Sequence, residues 1–279
     1  MIMSKVALIT GSTNGIGKET AIGLAKRGYS IHVLGTNKMK GKNVLDELKS
    51  IFPEGKHELF LIDLSSVEQV NTFLDNYIKK YAKLDVLVLN AGIYPRQQTV
   101  SEDGIDLAFS IGYISRYLFS VRLNELLEKS DIGKVVHVNG SPMGRINYSK
   151  LKTPTYSKLK SVWQNAVGSA LLVQFWKKLS KTNVDHMQWN PGIVNTDTVQ
   201  KQGRIVRFLS SLMGMIEASE AGEMLAKHIE ESQKRIVAGQ FFFKGKAIKA
   251  KSSIKNGVQD WEELVQFSEE FTGVAMRRN

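Results

Sequence analysis

The chain has 279 residues, 42% of them hydrophobic, no cysteine and a formal net charge of +11. That length suits one large α/β domain with a sizeable core, spanning residues 1–279. The lack of cysteine excludes disulfides and thiolate chemistry, and no apolar run reaches the 18 or so residues of a membrane-spanning helix. No leader pattern precedes the first apolar strand, so a cytoplasmic protein is expected. The basic residues are spread along predicted helix faces (Lys79, Lys80 and Lys83; Lys177, Lys178 and Lys181), which reads as a solvated surface and not as a nucleic-acid groove. Two local basic clusters stand out, Lys150 to Lys160 and Lys244 to Lys251. No spacing suggests a metal site.

In chain order, strands are predicted at 5–10, 30–35, 58–62, 85–89, 134–139, 184–189 and 239–243. Helices are predicted at 15–27, 40–51, 67–81, 103–128, 161–180, 219–232 and 259–271. Short apolar strands alternating with amphipathic helices predict βαβ units and a doubly wound parallel sheet of about seven strands flanked by helices. The first strand runs into a turn carrying Gly11, Ser12, Thr13, Asn14, Gly15, Ile16 and Gly17, and a helix follows. Glycines at that junction allow a sharp turn and let a diphosphate rest on backbone N–H groups at a helix start. The second strand ends at Gly35 and is followed by Thr36, Asn37 and Lys38. An acidic residue there would bind a ribose 2′-hydroxyl; the hydroxyl, amide and cation present instead suit a 2′-phosphate, or else form a solvated loop. Asp63, with Leu64 after it, closes the third strand, where its carboxylate either accepts from an adenine amino group or belongs to the start of the next helix. Asn90, Ala91 and Gly92 close the fourth, where small residues permit close approach to a ligand. A string Tyr-Ser-Lys-Leu-Lys occurs twice, at 148–152 and 156–160.

These features resemble the short-chain dehydrogenase/reductase superfamily, with its Rossmann-type fold. The resemblance rests on Thr10-Gly11-x-x-x-Gly15-Ile16-Gly17, Asp63, Asn90-Ala91-Gly92 and Asn190-Pro191-Gly192, and it covers nearly the whole chain. Asp103-Gly104, with Trp261, Leu264, Ser268, Glu270 and Gly273 near the end, is similar to the retinol-dehydrogenase-like branch. The resemblance implies a nicotinamide dinucleotide, NADP(H) over NAD(H) on the evidence of Thr36 to Lys38, with Ile193 and Thr196 beyond Pro191 and Gly192 on the nicotinamide side. It also implies dimers or tetramers through the helices at 103–128 and 161–180.

The family's reaction uses an Asn, a Ser and a Tyr-x-x-x-Lys pair, because adding hydride to a carbonyl requires a proton for the oxygen. Ungapped alignment puts the Asn position on Gly112 and the Ser position on Gly140, with Asn139 before it and Ser141 after. Tyr156 and Lys160 match the pair as a string, yet counting back from Asn190-Pro191-Gly192 puts the Tyr and Lys positions on Ser161 and Asn165. Candidate catalytic residues are therefore Tyr156, Lys160 and Ser141, with Tyr113 and Arg116 beyond Gly112 as further polar groups. His137, inside a strand, reads as a packed core residue, and Trp163, Phe175 and Trp176 as core or subunit contacts. The segment 197–219, rich in apolar residues and methionine, reads as a substrate lid for an apolar small molecule, or as a patch resting on a membrane surface. Three functions remain open: an NADP(H)-dependent oxidoreductase with a non-standard site acting on a carbonyl, conjugated enone or imine; a non-redox cyclase or isomerase on the same scaffold; and a catalytically silent NADP(H)-binding protein.

Overall fold

A computed structural model describes residues 4–95, 97, 99–152, 158–178, 182–196, 214–233, 236–249 and 258–276. Its strands are β1 (Lys5–Thr10), β2 (Tyr29–Gly35), β3 (Glu58–Leu61), β4 (Val86–Leu89), β5 (Lys134–Val138), β6 (Asp185–Asn190), β7 (Val194–Asn195), β8 (Ile216–Glu217), β9 (Phe241–Phe243) and β10 (Lys246–Ile248). Its helices are α1 (Gly15–Ala25), α2 (Lys38–Ile51), α3 (Val67–Lys80), α4, α5 (Asn124–Glu128), α6 (Tyr148–Leu151), α7 (Lys158–Lys178), α8 (Ala218–Glu231) and α9 (Val258–Thr272). Helix α4 is composite: Leu107–Phe109, a π-helical turn at Ser110–Ile114, then Ser115–Arg122.

The main sheet has eight strands in the order β10-β9-β6-β5-β4-β1-β2-β3, all pairs parallel except β9 with β10. Period-two alternation divides each central strand between two cores. Ala7, Ile9, Val86, Val88, Val136 and Val138 face Ala21, Leu24, Leu48, Leu225 and Ile229 of α1, α2 and α8. Leu8, Leu87, Leu89 and Val135 face Leu74, Phe109, Tyr117, Leu172 and Leu264 of α3, α4, α7 and α9. Because both faces are covered, these strands read as unbroken apolar runs. The chain moves outward from β1 through β2 to β3, then returns to place β4 on the other side of β1. That reversal opens a crevice at the carboxyl ends of β1 and β4.

Two expectations are corrected. An eighth strand, β10, arises because Lys244 and Gly245 both take positive φ (47° and 74°) and fold part of the 244–251 basic run back along β9. The helix expected over 103–128 starts only at Leu107, after a turn with Gly104 at φ 76°, and its first N–H groups are capped by Asp106, which accepts from Phe109 N at 2.8 Å. At the far end of the segment read as a lid, Ile216 and Glu217 pair with Val194 and Asn195, and α8 begins at Ala218. Residues 197–213 of that lid lie outside the described residues, as does Tyr156. Among the described residues, no helix is long and apolar enough to cross a membrane.

Candidate active site

The crevice is a groove of about 420 Å³ built from six chain segments. The turn after β1 supplies Gly11, Thr13, Asn14, Gly15 and Ile16. Thr36 follows β2, and Asp63 and Leu64 follow β3. Asn90, Ala91 and Gly92 follow β4, and Thr196 lies opposite. Gly35, Ile62, Ile93 and Ile111 also line the groove and were not singled out from sequence. Being apolar or backbone-only, they carry no chemical signature.

The turn is held from beneath. Gly11 and Gly15 adopt φ of 65° and 56°, which favours glycine. A Cβ on Gly17 would lie 2.4 Å from the Gly11 carbonyl oxygen and 2.6 Å from Asn90 Nδ2, so only glycine lets α1 start this close to the turn. Asn90 Nδ2 donates to the carbonyls of Thr10 (3.2 Å) and Gly11 (3.1 Å), fastening the turn to β4. Ser12 is fully buried; its hydroxyl donates to Ile9 O (2.7 Å) and accepts from Leu34 N (3.1 Å). It serves the turn and does not line the groove.

Asn37 caps α2 by accepting from Lys40 N at 2.9 Å, and Lys38 is the exposed first residue of that helix. Asp63 is exposed at the groove, and its Oδ1 accepts from Ser65 N and Ser65 Oγ, both at 2.8 Å, while Ser66 caps α3. Pro191, Gly192 and Ile193 form the loop after β6, where Gly192 takes φ 80° and donates its N–H to Asn190 Oδ1 at 2.8 Å.

The positions that sequence reading assigns to the chemistry lie on α4, on α7 and in the loop after β5. Ser161 is fully buried and donates to Asp106 Oδ1 at 2.6 Å, so it ties α7 to the cap of α4. Asn165, one turn later, is also buried; its Nδ2 lies 2.5 Å from where a Cβ on Gly112 would stand. Gly112 therefore leaves room for the Asn165 carboxamide. Gly140 is exposed, and its carbonyl accepts from Gln188 Nε2 at 3.0 Å. Ser141 is exposed and accepts from Asn190 Nδ2 at 3.1 Å, joining the loops after β5 and β6. Lys160 is exposed in the first turn of α7.

The remaining polar groups are poor proton exchangers near neutral pH. Tyr113 is buried against Ser268 (2.9 Å between hydroxyls), and burial pushes its phenol far above the ordinary value. His137 is fully buried, and burial with His186 beside it holds its imidazole well below 6.5. His186 itself is pushed down to about 3 by burial and stacks on Trp176, with ring centroids 4.4 Å apart. His137 and Trp176 are thus core residues. Tyr148 stacks near Phe267 at 5.0 Å, and burial raises its phenol too.

A family profile described as "short chain dehydrogenase" matches residues 5–206. Human "Polyprenol dehydrogenase" is 28% identical over 222 residues, covering 76% of this chain and 67% of that protein. Mouse "Retinol dehydrogenase 12" is 26% identical over 197 residues, covering 69% of this chain and 62% of that protein. The chain thus spans about two thirds of the length of these relatives. A 3-oxoacyl-[acyl-carrier protein] reductase from Brucella melitensis, solved in complex with NAD, superposes with a TM-score of 0.69 at 20% identity, covering 88% of this chain and 96% of that one. With the profile spanning most of the chain and retinol dehydrogenases among its relatives, the protein belongs to the short chain dehydrogenase family, in its retinol-dehydrogenase-like branch.

Proposed function

We propose that this protein is an NADP(H)-dependent oxidoreductase with a non-standard active site, acting on a small to medium apolar molecule that carries a conjugated enone, an imine or a carbonyl. The observation that carries this is the contrast between the two halves of the site. The groove is complete, whereas the four positions that would handle a proton hold Gly112, Gly140, Ser161 and Asn165, with Ser161 committed to Asp106.

The groove suits a dinucleotide. A Cβ on Gly92 would meet nothing within 4 Å, and one on Gly15 only the Thr196 methyl at 3.7 Å, so backbone lies open to a ligand at both places. The first turn of α1 presents backbone N–H groups that suit a diphosphate. Thr36 and Lys38 offer a hydroxyl and a cation for a 2′-phosphate, with no carboxylate at that strand end to repel it. When bound, the nicotinamide supplies or accepts the hydride.

The protein's own part is to hold the reactants in line and exclude water. An enone or iminium is already electrophilic and needs little help from a strong acid, which fits Gly112, Gly140, Ser161 and Asn165 at the four positions. Ser141, in the loop after β5, would orient a substrate oxygen. The apolar segment at about 197–219 is the proposed substrate lid. Tyr156 and Lys160 are the alternative proton-handling pair.

The test is consumption of NADPH with a panel of enones, imines and aldehydes. Turnover of the activated substrates that survives Tyr156→Phe supports the proposal. Tight NADPH binding without turnover on any of them would shift the function to a cyclase, an isomerase or a sensor.

A further inference from the structure

A buried cation lies behind the groove, and the chemistry proposed above does not use it. Arg116 sits one helical turn after Gly112 on α4 and is only 2% exposed. Its Nη2 donates to Ala91 O at 2.9 Å and to Val138 O at 3.0 Å. With the Asn139 carboxamide oriented to satisfy its neighbours, Asn139 oxygen accepts from Arg116 Nη1 at 2.9 Å and from Ser169 Oγ at 2.8 Å. One planar guanidinium thus joins the segment after β4, the end of β5, the first residue of the loop beyond it and, through Asn139, helix α7.

Burying an arginine is costly without a counter-ion. Among the described residues no carboxylate contributes to its electrostatics, and its Nε has no partner; burial alone lowers its pKa, to about 9, so it stays cationic at neutral pH. Its nearest titratable neighbour, His137, is held neutral. Three neutral oxygens are therefore the whole compensation, and two of them belong to the walls of the site. Ala91 lines the groove, and Asn139 leads into Gly140 and Ser141. The fork fixes the distance between these walls, which a single-point ammonium cannot do.

We propose that Arg116 is a positioning residue: its guanidinium clamps the ends of β4 and β5 so that the dinucleotide wall at Ala91–Gly92 and the substrate wall at Asn139–Ser141 keep a fixed separation. The dinucleotide part rests on the function proposed above; the clamp itself does not.

Two measurements test it on Arg116→Lys and Asn139→Ala, with Arg116→Met as the severe variant. The first is amide hydrogen exchange of the ligand-free protein, read by peptide mass spectrometry. The clamp predicts exchange about ten-fold faster in the peptides holding Ala91–Gly92 and Asn139–Ser141, with the Gly11–Gly17 turn unchanged. The second is the NADPH dissociation constant, followed by nicotinamide fluorescence, against that of adenosine 2′,5′-bisphosphate. NADPH should weaken about ten-fold in Arg116→Lys, while the bisphosphate, which reaches only the Thr36 end, stays within about two-fold. Asn139→Ala should move both readouts the same way but less, and covers the case in which Arg116→Met does not fold. Arg116→Lys behaving as the parent would overturn the clamp, since charge alone would then suffice. Faster exchange spread evenly over the whole sheet would overturn it too, leaving an ordinary core residue. Should the parent protein bind no NADPH, the function proposed above fails, and the exchange experiment still decides the clamp.

Discussion

Replacing Ser161 by alanine separates a structural serine from a chemical one. The Ser161 hydroxyl donates to Asp106 Oδ1 at 2.6 Å, and the same oxygen accepts from Phe109 N at 2.8 Å. Asp106 is itself 2% exposed, so no solvent replaces the lost donor. A hydrogen bond to a buried charged acceptor contributes about 1.5–3 kcal/mol. Alanine returns about 0.5 kcal/mol through its higher helix propensity. The expected net loss is about 1–2.5 kcal/mol, which lowers the melting temperature by roughly 2–4 °C in a chain of this size. Urea denaturation followed by circular dichroism measures the first figure, and a thermal scan the second. Any turnover of an activated substrate should survive within about three-fold at 25 °C, because the hydroxyl is held away from the reacting atoms. An unchanged stability together with a loss of turnover beyond about a hundred-fold would refute this placement and return Ser161 to the chemistry.

Three further outcomes are expected. Gly112→Ala should destabilise the protein by about 1–2 kcal/mol, because the new Cβ meets Asn165, and should be neutral or better in an Asn165→Ala background; additive effects in that double-mutant cycle would show that the two residues do not share the space. Thr36→Asp should weaken NADPH binding more than about ten-fold by placing a carboxylate near the 2′-phosphate, while NADH binding holds or improves; equal losses for both would remove the 2′-phosphate assignment. Acid should unfold the protein early. Burial pushes His32 down to about 4 and His186 to about 3, so below about pH 6.5 the unfolded chain binds protons that the fold cannot. Their stabilising contribution is complete above that pH and is lost as pH falls. The urea midpoint should therefore drop between pH 7 and pH 5, by roughly 3–4 kcal/mol in stability from these two groups together. A flat profile over that range would mean that one or both rings take up a proton inside the fold.

The parallel sheet and the groove were readable because their signals are local. Gly11, Gly15 and Gly17 have backbone reasons to be glycine, and the apolar strands announce burial on both faces. Ser12 and Asn37 show the limit of such reading: a polar residue in a ligand-binding turn looks the same whether it faces the ligand or holds the turn together. Only the 2.7 Å bond from Ser12 to Ile9 O and the capping bond to Lys40 N tell them apart. The chemical end depends on contacts between helices far apart in sequence. Counting back from Asn190-Pro191-Gly192 placed Ser161 and Asn165 at the family's Tyr and Lys positions, and both prove to be buried. Nothing in the sequence announced that Asn165 fills the space above Gly112, or that Arg116 spans two strand ends. Strand β10 was hidden because a basic run reads as solvated surface until the Lys244–Gly245 turn folds it back.

Anaerobic mixing of the protein with NADPH and matched pairs of substrates, an enone against its saturated ketone, in the parent and in Tyr156→Phe, bears most directly on the proposed chemistry. Tight NADPH binding, hydride transfer to the enone faster than to the ketone by at least about a hundred-fold, and no loss in the variant are the expected results. Equal rates on enone and ketone, abolished by Tyr156→Phe, would show an ordinary tyrosine-driven reductase and contradict a site that works without a strong proton donor.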